Sequence, residues 1–242
     1  GPDLCLEIVN LQIHTLLEQS GYSLSDINAI GVGVPGPVVS ELGMVIAPPI
    51  MPGWGNFPIH DHLINLWSTP VTLHNDAELG ALGEWACGVG RGVCYLLYVK
   101  VGYGIGAGLL FNGEIYRGMT GTAGEIGHIT IDNDGPLCTC GNRGCLESIA
   151  SGRAIAERAQ TLVQSGVFTQ LESFSKNGKV TAREVTKAAQ RGDVPAQEIM
   201  REAGENLGTA LASLVNVINP QMIVIGGSVA QVGDLLLGPV RR

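Results

Sequence analysis

The sequence predicts an α/β protein, and two observations carry that expectation. Short apolar runs rich in β-branched residues (26–34, 71–73, 93–100, 104–111 and 222–225) read as strands, and the stretches between them repeat apolar residues at helical spacing. With 45% hydrophobic and 15% charged residues among 242, the chain can bury one large core or two modest ones.

In chain order, Leu4, Ile8, Leu11 and Leu16 follow a helical rhythm from Leu4 to Leu17, with Gly21 as the stop. The chain is therefore expected to begin inside a domain. Asp26 to Val34 (DINAIGVGV) reads as a buried strand running into Pro35-Gly36-Pro37. From Ala47 to Ile59, four prolines and two glycines prohibit regular structure and predict a loop. Ile59, Leu63 and Leu66 mark a helix and Val71 to Leu73 a strand, after which His74-Asn75-Asp76-Ala77 opens an apolar-striped helix through Trp85. Asp76 thus stands where a strand gives way to a helix. Two roles are open to it: a ligand-binding carboxylate at the cleft end of an α/β sheet, or an ordinary helix cap.

Val93 to Lys100 and Gly104 to Phe111 are strands, and Asn112-Gly113 is a hairpin turn signal. The glycines of VGYGIGAG serve either close approach to a phosphate or a plain tight hairpin. Ser151 caps a helix to about Val163 with Gly166 beyond it, and Thr181-Ala182-Arg183-Glu184 is a capping box. A long helix over about 195–216 leads into strand 222–225 and the tight turn Gly226-Gly227. No internal repeat, low-complexity tract or flexible linker interrupts this order.

Composition also excludes. A net charge of −8 and a pI of about 5.1 give no general attraction for phosphate backbones, so the chain should not bind DNA unaided. There is no charged-then-apolar leader and no apolar run of bilayer length, which leads us to expect a cytoplasmic protein without a membrane partner. Reduced thiols in that compartment suit a metal better than disulfides.

Three of the six cysteines crowd into GEIGHITIDNDGPLCTCGNRGCLE, Gly124 to Glu147, where His128, Cys138, Cys140 and Cys145 are spaced H-x9-C-x-C-x4-C. Three thiols and an imidazole supply the four soft ligands of a closed tetrahedral zinc site. The alternative is buried or disulfide-linked cysteines beside an unrelated histidine, but Cys138 and Cys140 are too close in sequence for a relaxed disulfide. Cys5, Cys87 and Cys94 sit singly in apolar runs and read as core thiols.

The pattern G-H-x9-C-x-C-G-x2-G-C-x-E resembles the signature of the ROK family of repressors, open reading frames and kinases, and the resemblance spans nearly the whole chain. It implies an α/β, actin-like (ribonuclease H-like) two-lobed sugar kinase/ROK fold with the smaller lobe incomplete, residues 1–75 forming that partial lobe and 76–242 the larger lobe with the zinc loop. The family includes ATP-dependent sugar kinases and sugar-responsive regulators. On this resemblance GVGVPGPV is the sugar-side loop, and Asn75, Asp76, Glu125, His128 and Glu147 meet the sugar, whose hydroxyls pair with carboxylates and amides in fixed combinations. His128 would give one ring nitrogen to zinc and the other to the sugar; for Glu125 and Glu147, support of the metal loop is the alternative. In a kinase, Asp76 would be the general base, with ATP and Mg2+ at Gly102, Gly104 and Gly106 and at the adenosine-side pair Gly226 and Gly227.

Two departures favour the regulator branch: Tyr103 stands where the kinases place a phosphate-binding threonine, and Pro49, in P-P-I-M-P-G-W, stands where they often place asparagine. The phosphate motif D-x-G-G-T with which such folds open is also absent, so a front piece is expected upstream, and a D-x-G-G-T start there would favour the kinase. The resulting expectation is the sugar-binding domain of a regulator, taking a hexose or N-acetylhexosamine, homo-oligomeric, and reaching DNA only through a winged helix upstream of Gly1. An ATP-dependent sugar kinase is the competing expectation, and a zinc-stabilised interaction module the third.

Overall fold

Helix α1, Pro2–Ser20, begins with proline in its first turn and ends at Gly21, whose φ of 73° lets the chain turn back so that the Gly21 and Tyr22 amides donate to Glu18 and Leu17. The rhythm of Leu4, Ile8, Leu11 and Leu16 locates the helix but not its packed side: all four are exposed, while Leu6 and Ile13 face the core and Asn10 accepts from Trp67 Nε1 at 3.0 Å. The computed structural model describes residues 1–39, 43–46, 51–167, 169–171 and 179–242. These form two units, Gly1–Leu79 with Arg117–Ala123 and Gly80–Tyr116 with Gly124–Arg242, so the polypeptide passes between units after residues 79, 116 and 123.

In the first unit, β1 (Ile30–Val34) pairs in parallel with β4 (Val71–Asn75), from Ile30 beside Val71 to Val34 beside Asn75. The expected buried strand over 26–34 is shorter and more open than that. Gly31 and Gly33 are exposed because β4 is the single neighbour of β1 among the described residues. A small hairpin, β2 (Val38–Val39) and β3 (Met44–Val45), precedes α2 (Ile59–Trp67). Ile59, Leu63 and Trp67 are the buried positions of α2; Leu66, expected inside, is exposed, because Trp67 completes the inward stripe one position later. Pro48, Pro49 and Ile50 of the proline-rich loop lie outside the described residues, and 51–58 form turns without helix or strand.

The second unit is built on a sheet ordered β7-β6-β5-β8: β5 (Tyr95–Val101) runs antiparallel to β6 (Ile105–Phe111) and parallel to β8 (Met222–Gly226), and β7 (Glu114–Ile115) continues from β6. Asn112 and Gly113 join β6 to β7 with φ of 53° and 85°, the left-handed pair a two-residue hairpin turn requires. The helices of this unit are α3 (Asp76–Ala86), within which the division between units falls and whose Leu82 and Trp85 pack on the sheet, α4 (Leu146–Ala150), which contacts β6, and α5 (Gly152–Gln164), α6 (Ala182–Gln190), α7 (Val194–Ile218) and α8 (Asp234–Val240), of which α5, α6 and α8 each pack against α7. Ser151 caps α5 by accepting from Ala154, and the Thr181–Glu184 box caps α6 as expected. The start of α7 is fixed by Asp193, which the periodicity did not single out; it accepts from Ala196 at 2.9 Å while holding the Thr169 hydroxyl.

Cys5, Cys87 and Cys94 are exposed, not core thiols: apolar neighbours in sequence do not place a residue on the packed face. No helix among the described residues is long and apolar enough to cross a membrane.

Tyr98 of β5 sets how closely α3 approaches the sheet. A methyl group on Gly80 would lie 2.2 Å from Tyr98 Cε1, whereas one on Gly83, three residues along the same helix, would meet nothing within 4 Å. Gly80→Ala should therefore destabilise the protein by about 1–3 kcal/mol through overpacking, and Gly83→Ala should stabilise it by up to about 1 kcal/mol through helix propensity. Denaturant unfolding of both variants checks this. Equal midpoints would show that Tyr98 yields without cost.

Candidate functional site

The segment from Gly124 to Glu147 is shaped by its own backbone before any ligand atom matters. Ala107 of β6 donates to the Gly124 carbonyl at 2.8 Å, and a short 3-10 turn, Ile126–His128, follows with Ile126 buried. Two arms then fold against each other: Ile131 donates to Gly144 and Leu146 to Ile129, while Cys138 donates to Asn142 and Gly144 to Pro136. Gly144 makes this closure possible, since with φ of 61° it passes so close to Asp132 that a Cβ would overlap the Asp132 carbonyl oxygen.

The fold of the arms brings His128, Cys138, Cys140 and Cys145 together, with one ligand atom from each lying within 4.8 Å of all the others. Cys138 Sγ is 3.6 Å from His128 Nδ1, and Cys140 Sγ is 3.6 Å from Cys145 Sγ. A tetrahedral ion with bonds of about 2.3 Å to sulfur and about 2.0 Å to nitrogen spaces its donors roughly 3.5–3.8 Å apart, so the set fits such an ion. All six cysteines are free. Burial pushes the Cys145 thiol up to about 12, with the neighbouring thiols acting in the same direction, whereas the Asn142 backbone amide draws the Cys140 thiol down. A positive charge at the centre reverses the first effect, because the bound form is the thiolate.

His128 turns Nδ1 toward the sulfurs and Nε2 toward Glu125, 3.8 Å from its Oε2. Glu147, in the first turn of α4, accepts from the Ile105 amide at 2.9 Å through Oε2. That carboxylate explains one glycine of the β5–β6 hairpin: a Cβ on Gly104 would lie 2.4 Å from Glu147 Oε2. Glu147 therefore ties the metal-fitting loop to the hairpin.

Asn75 and Asp76 belong to the other unit. Asn75, the last residue of β4, caps α3: its Oδ1 accepts from Ala77 at 2.8 Å and its Nδ2 donates to the Gly36 carbonyl at 3.0 Å. The cap considered for Asp76 thus falls one residue earlier, and Asp76 is the first helical residue. Beneath it runs β1, where a Cβ on Gly33 would lie 3.6 Å from Asp76 Cα.

Three further residues were not singled out from sequence. The side chain of Glu78, only 8% exposed, holds Arg117 Nε at 3.3 Å from each of its oxygens, and Arg117 Nη2 donates to His74 Nδ1 at 3.0 Å. His74 Nδ1 is also 3.6 Å from Glu78 Oε2, which on distance alone resembles an ion pair. Arginine has no acceptor, so Nδ1 must carry the lone pair and the ring hydrogen sits on Nε2; the arginine bond is the real one. The one local signal for this group was the four-residue spacing of His74 and Glu78. Arg117 lies 39 and 43 residues from its partners.

Of the glycines expected to meet a nucleotide, Gly102 and Gly104 close the hairpin turn, Gly102 donating to Gly104 at 3.0 Å, and Gly106 and Gly226 flank Lys100 from the strands on either side. Gly227 turns the chain after β8 with φ of 95°. A cavity of about 990 Å³ opens beside this hairpin, bounded by Tyr103, Arg153, Lys179, Arg183 and Ser228, with Gly102 alone of those glycines in its wall. Tyr103 is 61% exposed there, and its carbonyl accepts from Arg153.

The chain is 40% identical over 222 residues to a glucokinase of Halalkalibacterium halodurans, covering 91% of this chain and 67% of that protein. It is 41% identical over 214 residues to a putative xylose repressor of Caldicellulosiruptor, covering 88% of this chain but 53% of the repressor, so it spans about half the repressor's length. Its fold matches the crystal structure of a ROK family glucokinase from Streptomyces griseus in complex with glucose and AMPPNP, with a TM-score of 0.83 and 30% identity over 97% of this chain and 76% of that one. The architecture is thus the actin-like α/β fold of these sugar kinases. The ROK family model matches residues 4–242, and the chain belongs to the ROK family.

Proposed function

We propose that this chain is the sugar-binding part of a cytoplasmic, homo-oligomeric ROK transcriptional regulator, structurally braced by zinc and joined in the full-length protein to a separate DNA-binding segment. The observation that carries this reading is Tyr103. It lines the cavity beside the hairpin, at the position where a phosphate-handling enzyme of this family needs a small hydroxyl and open space, and a tyrosine ring is a poor substitute there. The net charge of −8 supports contact with DNA through another segment.

Asn75, Asp76, Glu125, His128 and Glu147 are the residues we assign to the hydroxyls of a hexose or N-acetylhexosamine. Two of them are partly committed, since Asn75 caps α3 and Glu147 accepts from Ile105, which restricts how each can turn toward a ligand. His128, Cys138, Cys140 and Cys145 would hold the zinc, whose contribution is a cross-link within a loop of few apolar residues.

A second reading, an ATP-dependent sugar kinase, is favoured by one observation: Asn75 and not Asp76 caps α3, so helix capping does not account for the aspartate that a kinase would use as its general base. ATP and Mg2+ would supply the phosphoryl group and charge neutralisation, with Gly102, Gly104, Gly106, Gly226 and Gly227 on the nucleotide side.

Protein purified without added metal should contain one equivalent of zinc, and Cys145→Ser should lose it and raise amide exchange over 128–146. Elemental analysis and exchange measurements check this; full zinc content in the variant would remove Cys145 from the ligand set. Full-length protein should bind glucose, mannose or N-acetylglucosamine in calorimetry, with Asp76→Asn at least about tenfold weaker as a charged acceptor becomes a neutral one. A coupled assay with ATP, Mg2+ and the same sugars should show no turnover. Turnover at about 1 per second or faster, abolished by Asp76→Ala, would make the protein a kinase.

A further inference from the structure

We propose that Arg117 is a positioning residue for the ligand site: through the buried Glu78 carboxylate and His74 Nδ1 it fixes the strand-to-helix junction that carries Asn75 and Asp76. This rests on the sugar-binding reading above. His74 is the next-to-last residue of β4 and Glu78 the third of α3, so the two flank Asn75-Asp76-Ala77 on either side. One guanidinium holds both ends, with Nε 3.3 Å from the Glu78 oxygens and Nη2 3.0 Å from His74 Nδ1.

Between those ends the junction is already tied by Asn75 to Gly36, and Gly33 brings β1 close beneath Asp76. The Asn75 cap holds the amides of the first turn of α3, and the Arg117 fork adds a second brace between the side chains on either side of that cap. A rigid, planar, permanently charged fork bonds one residue on each side, which a single ammonium group cannot do in the same geometry. The buried Glu78 carboxylate is costly to leave unpaired, so the junction and the guanidinium hold each other in place. Arg117 itself comes from the segment 117–123, which packs on this unit although the residues flanking it belong to the other, and Ala123 donates back to the Arg117 carbonyl at 3.1 Å.

The test uses full-length protein, calorimetry with glucose, mannose and N-acetylglucosamine, and hydrogen exchange without sugar. Arg117→Ala should weaken sugar binding about tenfold or more and speed exchange over 74–80 while leaving exchange over 137–146 unchanged. His74→Asn should bind within about threefold of wild type, because Asn Oδ1 takes the place of Nδ1 as acceptor, whereas His74→Leu should resemble Arg117→Ala. In an Asp76→Asn background, Arg117→Ala should weaken binding by less than about threefold, since residues acting through one another are not additive; a merely structural role would weaken both backgrounds alike. Unchanged exchange over 74–80, additive effects, or wild-type affinity in Arg117→Ala would overturn the inference alone. A wild type that binds none of the three sugars would overturn the sugar-binding reading as well.

Discussion

Three sulfurs and an imidazole nitrogen gathered within 4.8 Å are a demanding arrangement for a loop to maintain by packing. Side-chain entropy and, once more than one thiol ionises, mutual repulsion both act against it, and Cys145 is completely buried. The backbone arms that bring the four together also set the position of Leu146, which starts α4 and is itself fully buried, and through it of Glu147, which accepts from the β5–β6 hairpin. One local constraint therefore propagates from the loop to a helix, and from the helix to a strand turn, in two covalent steps and one hydrogen bond.

Glycines in that hairpin carry two meanings that composition cannot separate. A glycine-rich turn between strands is what a phosphate needs for close approach, and also what an inward carboxylate needs. Gly104 is required by Glu147 whether or not a phosphate is ever present, so its occurrence adds little to either functional branch. Tyr103 is more informative, because a large ring beside a cavity has consequences that a missing methyl group does not.

What was legible in the sequence followed from how locally each feature is determined. The metal-fitting residues all fall between His128 and Cys145, the Thr181–Glu184 box spans four residues and the Asn112-Gly113 turn two, and each is found where expected. Helices announced themselves by period, but period leaves the phase open: α1 turns its most regular apolar stripe outward, and α2 buries Trp67 in place of Leu66. The cap of α3 moved by one residue, from Asp76 to Asn75, because both types accept from helix amides and only the end of β4 decides between them. Arg117 was invisible for a simpler reason, since nothing local connects it to partners some forty positions earlier.

The segment Arg117–Ala123 has a topological consequence. Because it belongs to the first unit while residues on both sides belong to the second, three strands of main chain join the two units, and neither is a continuous stretch of sequence. Cutting after Leu79 separates 1–79 from the 117–123 segment of the same unit, cutting after Ala123 splits the second unit into 80–116 and 124–242, and cutting after Tyr116 divides both. A fragment beginning at Gly80 would still carry 117–123, now without the body it packs on, so a boundary drawn at a single position does not isolate a self-sufficient piece.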